Sequence, residues 1–590
     1  MRDRLLIRHF LWRFMDHDLI SPNADRRVAL SAIGGTGIAL SLFIAVLLAL
    51  KYQFDSSMPA PPGIASLNAL DDRFLFTSTS MLVMAFAAVA EWDALALDAR
   101  DTAVLGVLPI PRLVLARAKF IAVGVFALAV LVGWNLFPTL LRAVALPVKL
   151  PISASGLRRL TLAQGIVTFG AGAFGFLAVV GFREVLFAIL GARRFQAISA
   201  ALQAGLIVLL TTGWLLLPAV SGGVGRDWLA RGGIAAKALP PLWFVGLHEM
   251  LAGSVIDDLP RVRPDRFTIR RERESTDLYR SLWPAYRELA VIAIAALLTA
   301  AVLTLVASLW NSRRLPTVVN RRAGRSRTLR RLWTWIVVHI VARRPLCQAG
   351  FFFTLQTLSR RVSHRAPMAA SLAVGVSSVV LATARSGPID ASEIETISVG
   401  LFAAQTLLMV SVLSGFRYVT RVPALLRASS TFSLAWSGNL GPYISGVKRA
   451  GLVALVVPVL AGVAILHAVI LGPRLAALHF GVGLASSVLL LEVLFLRCRR
   501  VPLVSSYVPG GDVKSLGALS VVAVLLAALA FAWVERLALE TASRYLILLS
   551  TLGGLSVAVR MFDRTARESA VTIDFDEQEL LPTQRLSLAG

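Results

Sequence analysis

The chain has 590 residues, of which 56% are hydrophobic and 16% are charged, and its formal net charge is +26. A soluble protein of this length would need many more polar residues to cover its surface, so the composition excludes an ordinary soluble globular protein. The apolar residues also fall in runs long enough to cross a bilayer as helices, which satisfy their own backbone polar groups in hydrocarbon. We therefore predict an all-α, polytopic integral membrane protein.

The excess of positive charge has two interpretations. It could bind nucleic acid, or it could reflect Lys and Arg collected on cytoplasmic loops beside anionic lipid headgroups. We favour the second, because no basic stripe with interleaved aromatic residues stands outside the membrane pattern. The chain is expected to contact the lipid bilayer and to bind no nucleic acid.

The first segment, 1–27, is predicted to be cytoplasmic and to carry an amphipathic helix. Apolar residues recur at near-helical spacing between Arg and His in RDRLLIRHFLWRFMDHD, Arg2 to Asp18. Such a helix is suited to lying on the membrane surface. The alternative is an ordinary basic N-terminal tail.

About twelve membrane-spanning helices follow, in a 6+6 tandem arrangement. The first six are predicted at 28–50, 74–92, 120–141, 166–190, 200–220 and 289–310. The second six are predicted at 367–384, 397–415, 451–472, 475–496, 516–534 and 541–559. They form one membrane unit over 28–310, with an enlarged loop at 221–288, and a second over 367–559. An Arg-rich cytoplasmic linker, 311–366, joins the units, and a polar, poorly ordered cytoplasmic tail occupies 560–590.

Orientation follows from the distribution of Lys and Arg. The basic N-terminus, the linker and the loops at 416–450 and 497–515 all fall on one side if both termini are cytoplasmic, and the opposite loop at 385–396 is lean in basic residues. The loops at 142–165 and 221–288 are also basic but fall on the opposite side, which disagrees with this orientation. Long loops, however, translocate largely regardless of charge. The predicted location is the cell's inner (cytoplasmic) membrane.

The two halves share a short motif. GFREVLFAIL (Gly181–Leu190) and LLLEVLFLRC (Leu489–Cys498) both contain EVLF at the end of the fourth span of their half, and a pair of Arg follows each. An even number of spans in each half would give parallel repeats. We therefore predict that the second unit repeats the first.

Few charged residues fall inside the predicted spans, and the candidates for a role there are Arg183, Glu184 and Glu492. Charges within a membrane are costly and often functional, so a proton relay is one interpretation. We favour another, in which Arg183 snorkels and Glu492 pairs with nearby Arg, because none of the three lies at mid-membrane. A path with so little buried charge suits a hydrophobic or amphipathic cargo.

Several motifs of nucleotide, metal and hydrolase chemistry are absent from the sequence. No G-x-x-x-x-G-K-[ST] occurs, so the chain has no P-loop to cradle nucleotide phosphates. His248-Glu249 is followed by Met-Leu-Ala and therefore does not form an HExxH zinc motif, and no G-x-S-x-G elbow is present. We predict no catalytic residue, no metal site, no cofactor and no enzymatic activity in this chain.

The loop after the second span is the most informative stretch. EWDALALDARDTAVLGVLPIPRLVLARAKF, Glu91 to Phe120, begins acidic, turns through Leu108-Pro109-Ile110-Pro111 and becomes basic before it re-enters the membrane. Asp98-Ala-Arg100-Asp101 would present both signs of charge at a helix tip, which could dock into a groove on a soluble partner. The alternative is a loop that merely connects two spans.

This loop resembles the one between the second and third spans of ABC-2-type export permeases, the membrane subunits of ABC exporters. They share an acidic/Arg stretch, a Leu-x-x-Leu-Pro turn, here Leu105–Pro109, and a basic residue that opens the third span, here Lys119. The amphipathic N-terminal segment, the six-span half and the proline–aromatic stretch Leu239–Phe244 before the sixth span are also similar to that family. The resemblance covers about 1–315, and the second half follows it only in span order and in its basic loop.

The resemblance implies a division of labour. Such permeases pair with a separate cytoplasmic ATPase, which binds ATP, and two six-span units enclose the export path. The predicted ATPase contact then comprises Asp98, Arg100, Asp101, Leu108 and Pro109. This chain departs from the family in having twelve spans, so either its halves mimic the usual dimer or the chain pairs again as a homodimer.

Two other functions stay open. A secondary transporter with six-plus-six parallel repeats would, in its common form, carry a G-x-x-x-D-R-x-G-R-type loop, which this chain lacks, and would need mid-span carboxylates. A membrane-embedded lipid-modifying enzyme would need Asp, His or Glu gathered at one membrane face. The stretch 221–288 does contain such residues, among them His248 and Glu249, but without a recognisable spacing.

Overall fold

The structure is a computed structural model, and helix is the regular secondary structure throughout the part of the chain that it describes. That part comprises residues 2–14, 38–39, 41–47, 50, 62–92, 111–145, 153–221, 234–253, 274, 277–278, 280–313, 327–385, 398–424, 440–498, 500–504 and 518–568. The chain divides into two compact units, Met1–Ala323 and Gly324–Gly590, and the division falls within the predicted linker.

The first unit is built from seven helices in its described residues. They are α1 (Arg2–Phe14), α2 (Pro62–Ala90), α3 (Arg112–Ala145), α4 (Ala154–Ser221), α5 (Ile234–Ala238), α6 (Pro240–Ala252) and α7 (Trp283–Arg313). The core forms where α2 packs against α4, and α6 and α7 pack against each other and against α4. A side chain at Gly175 of α4 would collide with the backbone carbonyl of Met81, so this glycine lets α2 and α4 approach closely.

Helix α4 contains two predicted spans, 166–190 and 200–220, without a loop between them. It bends at Gly191, where φ is 71° and ψ is 164°. A positive φ costs glycine little because it has no Cβ, so this residue breaks the helical dihedrals while the chain continues as helix on both sides. The result is two consecutive membrane-length segments, Ala154–Ala192 and Arg194–Leu217.

The second unit is built from nine α-helices in its described residues. They are α8 (Arg327–Ile336), α9 (Pro345–Arg360), α10 (Val362–Arg385), α11 (Val399–Arg421), α12 (Leu440–Gly451), α13 (Val457–Leu471), α14 (Pro473–Leu494), α15 (Ala518–Leu539) and α16 (Ala542–Glu568). Short π-helical turns, Val337–Val341 and Leu452–Val456, follow α8 and α12. The largest apolar core of this unit gathers around α11, α12 and α14, with Leu408, Phe416, Tyr443, Leu460 and Phe495 among its fully buried members.

Helices occupy much of the predicted linker, 311–366, within the described residues, and one of them packs against the second unit. Helix α7 continues to Arg313, and α10 begins at Val362. Helix α9 between them belongs to the second unit, because it packs along α12 with Cys347 and Phe351 buried beside Ala450. Glycines at the crossing let the two backbones approach, since a side chain at Gly446 would collide with the carbonyl of Cys347.

Among the described residues, ten helices are long and apolar enough to cross a membrane. They correspond to ten of the predicted spans and identify the chain as an all-α, polytopic membrane protein. The predicted span 28–50 lies largely outside the described residues, and 516–534 falls on α15, whose side chains are described from residue 523 onward. The predicted tail begins too early, because α16 continues past Arg560 to Glu568.

Candidate functional site: buried ionic clusters within the spans

The five residues predicted to contact an ATPase, Asp98, Arg100, Asp101, Leu108 and Pro109, lie outside the described residues. The structure does describe the residues that flank this loop. Helix α2 ends at Ala90, with Glu91 and Trp92 forming a turn after it, and α3 begins at Arg112. The contacts of these two flanks connect the ends of the loop to the helices of the first unit.

The first flank is anchored by Trp92, whose side chain is fully buried. Its Nε1 donates a hydrogen bond to Ser199 Oγ at 2.8 Å. Its indole stacks on the ring of Phe195, with centroids 6.4 Å apart and an interplanar angle of 17°. Both partners belong to α4, so the start of the loop is held against the helix that contains the fourth and fifth predicted spans.

The anchor continues into the predicted polar residues Arg183 and Glu184. The Arg183 guanidinium carbon lies 5.7 Å from the Trp92 ring centroid and 5.5 Å from that of Phe195. Arg183 forms an ion pair with Glu184, and both residues are 6% exposed. The prediction that Arg183 snorkels is therefore wrong, because stacking and pairing stabilise its charge inside the protein.

Glu184 connects this cluster to the last helix of the unit. Asn311 Nδ2, near the end of α7, donates to the Glu184 carboxylate at 2.7 Å and to its backbone carbonyl at 2.9 Å. A buried carboxylate is stabilised when several donors satisfy it. A continuous set of contacts thus runs from α2 through α4 to α7, formed by Trp92, Arg183, Glu184 and Asn311.

The second flank is held by the N-terminal helix. Leu6 and Phe10 of α1 pack against Leu115, Ala118 and Ala122 near the start of α3. The ammonium of Lys119 lies 5.1 Å from the centroid of the Phe10 ring, within the range of a cation–π contact. The start of the third predicted span is therefore attached to α1.

Glu492 is buried in the second unit and has two basic partners. Its carboxylate lies 2.5 Å from Lys448 Nζ on α12 and 2.7 Å from Arg560 Nη2 on α16. Asp563 lies near the same ammonium, at 3.9 Å. Glu492 was predicted to pair with nearby Arg, but its partners come from other helices, 44 and 68 residues away in sequence.

The two EVLF motifs occupy equivalent surroundings in their units. Each glutamate follows, by nine residues, a glycine of the same helix that packs against the second predicted span of its half: Gly175 against Met81, and Gly483 against Gln405. Each glutamate also bonds to the last helix of its unit, Glu184 through Asn311 and Glu492 through Arg560. These shared contacts support the predicted repeat.

A third correspondence involves the helix that precedes the first span of each half. Leu6 and Phe10 of α1 are buried against the start of the third span. Cys347 and Phe351 of α9, also four residues apart, are buried against α12, which starts the third span of the second half. Helices α1 and α9 therefore bury side chains in a similar way against the helix that starts the third span of their half.

A buried ion pair in the first unit escaped the sequence analysis. Arg73 of α2 pairs with Glu249 of α6, and their side chains are 7% and 1% exposed. His248 is equally buried, with Nδ1 3.4 Å from the same carboxylate oxygen. The predicted second span began one residue after Arg73, and Glu249 was assigned to a loop. Because proline favours the first turn of a helix, Pro240 could have predicted that α6 begins there.

A second buried cluster lies in the second unit. His479 Nδ1 of α14 and Glu535 Oε1 of α15 are 2.5 Å apart, and both side chains are 1% exposed. His467 of α13 is also fully buried, with its ring centroid 5.1 Å from that of His479. The described residues of the second unit therefore contain buried ionisable groups beyond Glu492.

The described residues contain no group of three or more His, Cys, Asp or Glu arranged to hold a metal ion. Comparisons of the chain with protein-family models, curated proteins and solved structures gave no match.

Proposed function

We propose that the chain is the membrane-spanning permease subunit of an ATP-driven ABC-type exporter. Its spans form the translocation path, and a separate cytoplasmic ATPase binds ATP and contacts the loop between the second and third spans. The subunit lies in the inner (cytoplasmic) membrane with both termini in the cytoplasm. The absence of a P-loop from the sequence agrees with this division of labour.

The attachment of the loop to the spans is the observation that carries the proposal. Residue Trp92, at one end of the loop, contacts Arg183, which pairs with Glu184, which bonds to Asn311. At the other end, Lys119 contacts Phe10. Packed side chains and buried ion pairs resist independent displacement, so a push on the loop would move α2, α3, α4 and α7 together.

The ATPase contact is tested by charge reversal. Asp98→Lys with Asp101→Lys should abolish copurification of the ATPase with the tagged permease, because an acidic docking surface becomes basic. Glu393→Lys, in the loop predicted to lie on the opposite side of the membrane, is the matched control and should leave copurification unchanged. If the ATPase still copurifies with the double variant, the contact assignment is wrong.

The function itself is tested by the source of energy. A gene for a soluble ATPase with a Walker A motif is expected next to the gene for this chain, and the purified chain alone should hydrolyse no ATP. Transport in proteoliposomes should require both subunits and ATP. Full transport by the chain alone, without ATP, would overturn the proposal.

A secondary transporter is the second candidate, and the buried ionisable residues favour it. Arg73 and His479 lie on candidate spans and pair with buried carboxylates of neighbouring helices, Glu249 of α6 and Glu535 of α15, and such a transporter needs paired ionisable groups of this kind. An imposed proton gradient would then drive uptake or efflux of the cargo in proteoliposomes that contain only this chain. The same preparation therefore separates the two functions.

A further inference from the structure

Four helices of the second unit place polar side chains in one buried cluster. His467 comes from α13, His479 from α14, Glu535 from α15 and Gln405 from α11. All four side chains are at most 2% exposed. His467 lies four residues before the end of α13 and Glu535 four before the end of α15, so the cluster is near the end of the bundle where Gly472 joins α13 to α14.

The contacts in this cluster leave some polar atoms satisfied and others not. His479 Nδ1 and Glu535 Oε1 share a short hydrogen bond of 2.5 Å, and Gln405 Nε2 donates to the His479 carbonyl at 2.9 Å. The edge of Phe402 covers the His479 ring, with centroids 5.2 Å apart. Within the part of the chain that the structure describes, both ring nitrogens of His467, the Nε2 of His479 and the Oε1 of Gln405 lack a hydrogen-bond partner although they are fully enclosed.

Buried polar atoms without partners cost free energy, so such a cluster is expected to bind something that satisfies them. Charge favours a cation. An ionised Glu535 beside two neutral imidazoles would leave a net charge of −1 inside the protein, and one added proton brings the cluster to neutrality. Imidazole is also the side chain that gains and loses a proton near neutral pH.

Among the described residues, His479 is the partner that forms an ion pair with Glu535. Tyr545 of α16 donates from its hydroxyl to the Leu478 carbonyl at 3.3 Å. Arg544 and Glu540 pair with each other at the exposed start of α16. Arg536, the residue after Glu535, is half-buried, and Arg474, at the start of α14, is exposed. Helix α11 contributes the neutral Gln405 and Phe402 to the cluster.

We propose that His467, His479 and Glu535 form a proton-binding site in the second unit. One proton taken from water is held on a ring nitrogen of the imidazole pair other than His479 Nδ1, because that atom already shares a hydrogen with Glu535. The Glu535 carboxylate supplies the counter-charge, and the proton is returned to water on release. No electron or other group is transferred. This site is independent of the proposed ATPase partner, and it would give either transport mechanism a titrating group inside the spans.

The test follows the imidazole nitrogens of the purified full-length chain in nanodiscs. The chain has seven His, so ¹⁵N-histidine labelling gives few signals, and His467→Gln and His479→Gln identify the pair. In the wild type the pair should take up one proton as the pH is lowered from 8 to 4. Glu535→Gln should weaken proton binding at least tenfold, because it removes the counter-charge and keeps the side-chain shape.

The exposed His339 supplies the control, because His339→Gln removes one imidazole signal and should leave titration of the pair unchanged. Size-exclusion profiles of all variants show whether they fold. An imidazole pair that stays neutral over this pH range in the wild type would overturn the proposal. So would unchanged titration in folded Glu535→Gln, or stoichiometric Zn²⁺ bound to the wild type and lost in that variant. None of these measurements requires ATP or a partner.

Discussion

The guanidinium of Arg183 lies over the indole ring of Trp92, 5.7 Å from the ring centroid. Trp92 is the last described residue of the second span, and Arg183 precedes the glutamate of the first EVLF motif. The contact therefore joins the entrance of the predicted ATPase-binding loop to the repeated motif of the fourth span.

Arg183→Gln is expected to destabilise the protein, because it leaves the buried carboxylate of Glu184 without its cationic partner. Removing one member of a buried ion pair costs about 3–5 kcal/mol. Arg194→Gln, at an exposed position of the same helix, should stay within about 0.5 kcal/mol of the wild type. Denaturant titration in detergent micelles measures both.

A double-mutant cycle with Trp92→Leu isolates the contact with the ring. If the cation–π interaction operates, the two substitutions should couple by about 0.5–2 kcal/mol. Strictly additive effects would show that Arg183 and Trp92 act independently, and that force on the loop does not pass through this pair.

Part of this site could be predicted from the sequence, and the reasons for the misses are physical. EVLF and its position in each half identified Glu184 and Glu492 because charges stand out in apolar spans. Their partners Asn311 and Arg560 lie 127 and 68 residues away, respectively, so the pairing depends on how the helices pack. The sequence did not predict that Arg73 is buried, because Asp71, Asp72 and Arg73 together lower the local hydropathy below that of a span. In the structure, the ion pair with Glu249 stabilises Arg73 in the interior.

Glu492→Gln should also destabilise the protein, by about 1.5–3 kcal/mol, because it removes charge-assisted hydrogen bonds to the half-buried ammonium of Lys448 and to the exposed guanidinium of Arg560. Glu540→Gln is the matched control in the same unit. Glu540 pairs with Arg544 at the surface, where the arginine side chain is 56% exposed, so its loss should cost at most about 1 kcal/mol. Equal thermal shifts for the two variants would contradict a structural role of the Glu492 cluster.

Gly446→Ala tests whether α9 belongs to the second unit. The added methyl group would meet backbone atoms of Cys347 and Phe351, which cannot move aside without separating α9 from α12. Overpacking of this kind costs about 1–3 kcal/mol. Gly462→Ala, which adds a methyl group to α13 where no atom lies within 4 Å, should be neutral or stabilising by up to about 1 kcal/mol. A neutral Gly446→Ala would mean that the α9–α12 contact does not contribute to stability.

Orientation in the membrane decides whether the proposed ATPase can reach its loop. The native thiols Cys347 and Cys498 are 3% and 6% exposed, so they should react slowly with a membrane-impermeant maleimide. In right-side-out vesicles, Glu393→Cys should be labelled at once, whereas Asp98→Cys should be labelled only after the membrane is permeabilised. The predicted topology follows from the Lys/Arg bias, but the basic loops at 142–165 and 221–288 do not fit that bias. Rapid labelling of Asp98→Cys in intact vesicles would place the loop away from cytoplasmic ATP and would refute an ATP-driven mechanism that acts through this loop.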